Sequence, residues 1–252
     1  MTLEIRKIEK IKELKEALEI QKKAWEFETP EDVVPLPIFV LSARFGGLVL
    51  GAFENGKMIG FSLAFPLLEG PELVLHSHMT AVVPEYQGRG IGYHIKLVQR
   101  EEARRLGYHK ITWTYDPLQA RNAYFNIVKL GARVSKYFSD FYGPLSSKFN
   151  KGFPTHRFLV EWKVDHEEAR DFGDPEYILF ERGPEEEWEP ELLGKFRILG
   201  FRIPKDMNSL PRDKAIRWFE AIDKTFPPLL EKYEIFSFVR GEICYYKLIR
   251  KK

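Results

Sequence analysis

Leu3 and Ile5 alternate with charged residues and predict a short opening strand. Ile11, Leu14, Leu18 and Trp25 then recur at helical spacing, with Ala17 and Ala24 beside them, so an amphipathic helix is expected over about residues 9–26. Pro30, Pro35 and Pro37 interrupt the chain before a short apolar helix, Ile38 to Phe45, closed by Gly46-Gly47. Leu48–Phe53 and Met58–Phe65 flank Glu54-Asn55-Gly56-Lys57 and read as a hairpin, because Asn-Gly supplies the positive φ of a tight bend. An apolar strand, Leu73–Val83, ends at Pro84. The turn Gln87-Gly88-Arg89-Gly90-Ile91-Gly92 follows, and then a helix with Ile91, Ile95, Val98 and Leu106 on one face and Gly107 at its C-cap. Tyr108–Tyr115 is the next strand, Leu118–Leu130 a helix stopped at Gly131, and Val134–Phe138 and Phe158–Val164 two more strands.

From Asp165 to Pro190 the chain turns acidic and carries Gly173, Pro175, Gly183 and Pro184, which predicts a connection holding one strand, Tyr177–Phe180. Beyond it the pattern gives a strand (Phe196–Ile203) and a helix (Asp213–Phe226). A last pair of strands follows, with Ile235, Phe236 and Phe238 returning through Arg240-Gly241-Glu242 to Ile243–Ile249. The expected fold class is α/β (α+β), a mixed central sheet flanked by helices. Two domains are expected, residues 1–165 and a small α+β lobe, 166–252, packed on the first or serving as the contact of a homodimer.

Strand, glycine-rich turn and helix in that order aim free backbone N–H groups and a positive helix end at whatever lies beyond the strand, which is a device for binding anions. A triphosphate loop needs Lys-Ser/Thr after its last Gly, where Tyr93-His94 stand, and the dinucleotide spacing needs a third Gly at Tyr93. The spacing that fits is Gln-x-x-Gly-x-Gly, on Gln87, Gly90 and Gly92. With the Val-Pro-Glu-Tyr lead-in it resembles motif A of the GNAT acyltransferase superfamily, and the order of elements over residues 1–165 resembles that fold. The stretch WTYDPLQARNAYFNIVKLGA, followed by Tyr142-Gly143, is similar to an uncharacterised subgroup of predicted acetyltransferases.

The resemblance implies acetyl-CoA as acyl donor. Its pyrophosphate would lie on the main chain of Gln87, Gly88, Arg89, Gly90, Ile91 and Gly92, and its pantetheine arm on that of Ala81, Val82 and Val83. It also implies a strand that splays from its neighbour at a bulge, and an acceptor pocket between the first two strands, where Phe27, Phe39 and Phe45 are expected in the pocket wall or the core. Acyl transfer to an amine needs a base near that splay. His76 and His78 share one face of the strand by its period of two, and His76 falls where the histone-acetyltransferase branch carries its general-base Glu. Glu85 precedes the turn and is otherwise a solvated carboxylate. GNAT relatives often place a thiolate-protonating Tyr four residues before the Gly that ends the next helix, but that position here is Ile127. Tyr124 stands one turn earlier, and Asn122 and Asn126 are the amides expected to bond the CoA arm. Asp116, at the end of its strand, is a candidate receiver of an acceptor ammonium, or an ordinary helix-start residue.

Composition narrows the classes. The 252 residues are 44% hydrophobic and 14% aromatic, enough for a substantial core. The 39 basic and 37 acidic residues are interspersed, and their net charge of +2 argues against nucleic acid as a partner, and so against a variant using aminoacyl-tRNA. The single cysteine, Cys244, excludes an internal disulfide or a cysteine-rich metal site. No apolar run nears the ~20 residues that span a bilayer, and the charged start MTLEIRKIEK is unlike a signal peptide. The expectation is a cytoplasmic enzyme with no membrane or metal partner, transferring acetyl groups to a small-molecule or protein amine. The alternative is a non-catalytic acyl-CoA-binding module, motivated by Ile127.

Overall fold

The computed structural model describes residues 2–146, 152–165 and 171–252, which pack into two compact units. The first holds the described residues up to Trp113 with 145–146 and 163–165; the second holds 114–144, 152–162 and 171–252. Residues 114–144 and 152–162, which precede the expected boundary at 165, cluster with residues 171–252. Residues 166–170 of the acidic connection lie outside the described residues.

In the first unit β1 (Leu3–Lys7), β2 (Leu48–Glu54), β3 (Lys57–Glu69) and β4 (Glu72–Val82) form an antiparallel run, and β5 (Lys110–Tyr115) joins β4 in parallel, so the sheet is mixed. Helix α1 (Ile11–Trp25) buries Leu14, Ala17 and Ile20 on it and leaves Ile11 exposed, so the apolar stripe is narrower than the sequence pattern. Helix α2 (Leu36–Arg44) adds Phe39, which is fully buried with its ring 5.7 Å from Phe61. Phe39 is thus core, Phe27 stacks on Trp25 at 6.3 Å, and Phe45 is exposed. Met79 and Ala81 of β4 close this core with Phe61 and Leu63. Every residue of β2 is buried, because its opposite face meets α3 (Ile91–Arg105).

Strand β3 runs past its expected end through Pro66, and the tight turn at Gly70 (φ +61°) pairs Leu68 with Leu73. A proline fits here because β2 pairs β3 only as far as Ala64, leaving no neighbour on that edge to need its missing N–H.

The second unit contains β6 (Arg133–Phe138) paired antiparallel with β7 (Arg157–Lys163), and a four-stranded sheet in the order β10-β11-β9-β8. These four are β8 (Tyr177–Leu179), β9 (Ile198–Ile203), β10 (Tyr233–Arg240) and β11 (Cys244–Arg250). Where a helix over Leu118–Leu130 was expected, a single α turn, α4 (Ala120–Ala123), gives way to a π-helical segment, Tyr124–Lys129, with Leu130 N–H bonded five residues back to Phe125 O at 3.0 Å. Helix α5 (Arg212–Lys232) runs through Pro227 and Pro228 rather than stopping before them. Its register survives two missing donors because Phe226 and Leu229, on either side, are both fully buried.

Candidate acyl-CoA site

The site begins with a break in the sheet. β4 and β5 pair only at Leu75↔Ile111 and His76↔Thr112, and beyond His76 the strand runs on with no β5 partner. At the same place the β3–β4 register skips a residue: Ala64 faces Ser77 and Leu63 faces Met79, so His78 is the extra residue of a bulge. A bulge reverses the alternation of faces. Ser77 points to α3, whereas Met79 and Ala81 enter the core under α1 and α2. The main chain alternates too. Val83 N–H donates to Ile59 O of β3 at 2.9 Å, so Ala81 is turned the same way, and Val82 and Thr80 present their main-chain groups to the open side. Thr80 Oγ1 is buried there without a hydrogen-bond partner among the described residues.

The glycine turn abuts the end of that strand. Gly88 and Gly90 both have φ +79°, a conformation that disfavours any side chain, and Gly90 is the N-cap of α3. No side chain caps this helix start, and the N–H groups of Gly88, Arg89, Gly90, Ile91 and Gly92 have no protein acceptor among the described residues. A Cβ at Gly88 or Gly92 would meet no atom within 4 Å, so the space above the turn is open. Gln87 is engaged within the turn: its Nε2 donates to Val82 O at 3.0 Å and its N–H to Pro84 O at 3.1 Å. The Arg89 guanidinium pairs with the buried carboxylate of Glu54 at 2.5 Å and lies 5.1 Å from the Tyr86 ring. Both side chains thus brace the turn and leave its amides outward. Glu85 is exposed.

His76 and His78 lie half-buried on either side of Phe65, with ring centroids 5.9 and 5.4 Å from it. Burial lowers the pKa of both. His76 falls to about 4, with the positive charges of His78 and Lys96 adding to the effect and Glu69 opposing it. Both imidazoles are therefore neutral at pH 7. His76 Nδ1 lies 3.0 Å from Thr112 Oγ1, which fixes its ring at the last paired position, whereas His78 hydrogen-bonds to no protein group among the described residues.

No pattern along the chain signals the group beneath this strand. Lys96 on α3 is only 4% exposed, and its Nζ donates to Ser77 Oγ at 2.8 Å and Gln99 Oε1 at 3.1 Å. The ammonium sits 3.8 Å from the Trp113 ring centroid. It wedges between the first unpaired residues of β4 and β5, and burial lowers its pKa to about 7. A lysine whose folded pKa lies below its unfolded value costs stability wherever the unfolded chain stays protonated. Stability should therefore rise between pH 7 and 10.5, and Lys96→Met should flatten that rise in a series of thermal melts. An equal slope in the variant would mean that Lys96 does not titrate there.

Asp116, Asn122, Tyr124 and Asn126 belong to the second unit. Asp116 accepts from Leu118 N–H at 2.8 Å and from Gln119 Nε2 at 3.4 Å, as a helix-start residue does. Desolvation raises its pKa, with Arg157 pulling the other way. Asn122 is exposed, Tyr124 is half-buried with Lys129 Nζ 5.7 Å from its ring, and Asn126 and Ile127 are buried in the π-helical segment.

The site thus joins a mixed sheet that forks at β4 and β5 to an uncapped glycine turn. The acetyltransferase (GNAT) family model matches residues 12–126. No curated protein matches the sequence. Among solved structures, the ribosomal-protein-S18-alanine N-acetyltransferase of Escherichia coli is 16% identical, with a TM-score of 0.52 over 68% of this chain and 100% of that one. yncA of Salmonella typhimurium, solved with its cofactor acetyl-CoA, is 19% identical with a TM-score of 0.51 over 69% and 100%. Arabidopsis thaliana Naa50, in complex with a bisubstrate analogue, is 12% identical with a TM-score of 0.50 over 64% and 98%. At these identities the similarity is one of fold.

Among the described residues, no helix is long and apolar enough to cross a membrane, and no group of three or more His, Cys, Asp or Glu is placed to hold a metal ion.

Proposed function

We propose that the chain transfers an acetyl group from acetyl-CoA to a primary amine by direct attack of the amine on the thioester. The observation that carries this reading is the juxtaposition of the open stretch of β4 with the outward amides of the Gly88–Gly92 turn. The amides and the positive end of α3 hold the pyrophosphate, and the main-chain groups of Val82 and Thr80 take the pantetheine arm. An N–H on that open edge stabilises the charge that develops on the thioester oxygen. His78 is the base of choice, since its neutral ring lies at the bulge without a competing partner; His76 lies two residues back, at the last position paired with β5. The proton lost by the attacking ammonium goes to the imidazole, and the thiolate leaves with CoA. The acetyl-CoA bound to yncA and the bisubstrate analogue bound to Naa50 support the choice of donor.

Two measurements test this. Gly90→Asp forces a side chain into a left-handed backbone position and sets a carboxylate among the amides. Each lost charge-assisted bond is worth on the order of 1.5–3 kcal/mol, so calorimetry should find CoA affinity reduced ~100-fold or more in a folded protein. Unchanged affinity would remove the turn from the site. An acetyl-CoA-consumption screen over polyamines, amino acids, aminosugars and peptide N-termini should then find a turned-over amine. The weak basicity of His76 favours one second reading, an acyl-CoA-binding module without turnover. Tight CoA binding with no acetylated amine in that screen would establish it.

A further inference from the structure

A second concave site lies in the second unit, where β8 and β9 run parallel. Their carboxyl ends open into a cavity of about 360 Å³, walled by the segments that follow each strand and by the start of α5. Crevices at the carboxyl ends of parallel strands, beside the N-terminus of the next helix, are where open α/β sheets take up ligands.

Four cations line the cavity: Arg182, Arg202, Lys205 and Lys214. Arg202 donates to Glu181 O, but the side chains of Arg182, Lys205 and Lys214 have no ion-pair or hydrogen-bond partner among the described residues. The lining carboxylate, Asp206, already accepts from Asn208 N–H at 2.9 Å. Of the acidic residues near the mouth, Glu185 faces Arg217 at 3.9 Å and Glu186 accepts the Arg182 N–H at 2.6 Å. Helix α5 starts at Arg212 without a side-chain cap, which adds its positive end to the same wall. Trp218 also lines the cavity; it is only 2% exposed, and its indole N–H has no protein acceptor among the described residues. Converging like charges around an open cavity repel one another unless an anion lies among them.

We propose that this cavity binds a phosphorylated small molecule, with Lys205, Lys214 and the two arginines around its phosphoryl oxygens and the Trp218 N–H as a further donor. The compact ammonium groups suit a multiply charged phosphoryl group better than a planar carboxylate, which the arginine fork alone would favour. This site is independent of the glycine turn in the first unit.

The probe is inorganic pyrophosphate at constant ionic strength, titrated into the full chain and read by calorimetry and tryptophan fluorescence. Saturable binding is expected, and Gly90→Asp should leave it in place. A Lys205→Gln/Lys214→Gln double variant with unchanged melting temperature should raise the Kd ~10-fold or more, and Trp218→Phe should abolish the fluorescence response. The proposal is overturned by an unchanged Kd in the double variant. It is equally overturned if Gly90→Asp abolishes the binding, which then belongs to the glycine turn. Citrate binding at least as tightly as pyrophosphate would overturn the phosphoryl class.

Discussion

Residues 1–165, expressed alone, are expected to aggregate or to melt without a cooperative transition. The strands that such a fragment keeps, β6 and β7, belong to a core whose other half is C-terminal. Phe158 is fully buried, with its ring 4.7 Å from Phe226 and 5.6 Å from Tyr246. Tyr137 donates to Asp223 Oδ1 at 2.9 Å, and Tyr246 Oη donates to Pro117 O at 2.6 Å. Tyr115, whose hydroxyl lies 3.4 Å from that of Tyr246, and Phe158 would both lose their C-terminal partners. At ~1.5–3 kcal/mol for each fully buried side chain, these two alone lose about 3–6 kcal/mol, a large share of the ~5–15 kcal/mol that holds an ordinary domain together. Gel filtration and thermal melts of the fragment decide the matter. A soluble monomer with the melting temperature of the full chain would mean that the C-terminal part is an independent attachment.

His78→Ala is expected to lower kcat/KM at pH 7 by ~10²–10⁴, the usual cost of removing a positioned base, with the CoA dissociation constant nearly unchanged because main-chain groups hold the cofactor. His76→Ala should show a smaller loss, since Thr112 ties its ring nitrogen. The pH profile supplies a second readout. Burial lowers both imidazole pKa values, so the base stays unprotonated as pH falls below 6.5, and the acid limb of the enzyme should appear below that value, toward about 4 if His76 is the base. The sign for stability is the opposite of a salt-bridged histidine: between pH 6.5 and 4 the unfolded chain binds the proton and the folded one resists it, so stability falls as pH falls through that window. Wild-type rates in both variants would pass the role to water or Glu85.

Much of this was legible along the chain, for reasons that are local. Period-two and period-3.6 patterning placed most of the strands and helices close to where they lie, because each element buries one face. Gly88 and Gly90 announced the turn because left-handed backbone is nearly closed to other residues, and the spacing from Gln87 distinguished it from the triphosphate and dinucleotide loops. What the sequence could not carry is non-local. The bulge at His78 depends on the register of β3 against β4, which the alternation along β4 alone does not reveal. Lys96 reads as a surface residue in a charged helix; only the fork of β4 and β5 makes it a buried wedge. The π-helical turn at Tyr124–Lys129 and the passage of α5 through Pro227-Pro228 both set local propensity against burial, and burial prevailed. The chain by itself determined its glycine turn and its similarity to the acetyltransferase (GNAT) family model over residues 12–126, since both rest on short-range sequence patterns. The packing of 114–144 and 152–162 with the C-terminal strands was decided only by tertiary structure, because the contacts that fix it, such as the hydrogen bond between the Tyr115 and Tyr246 hydroxyls, join residues up to 131 positions apart.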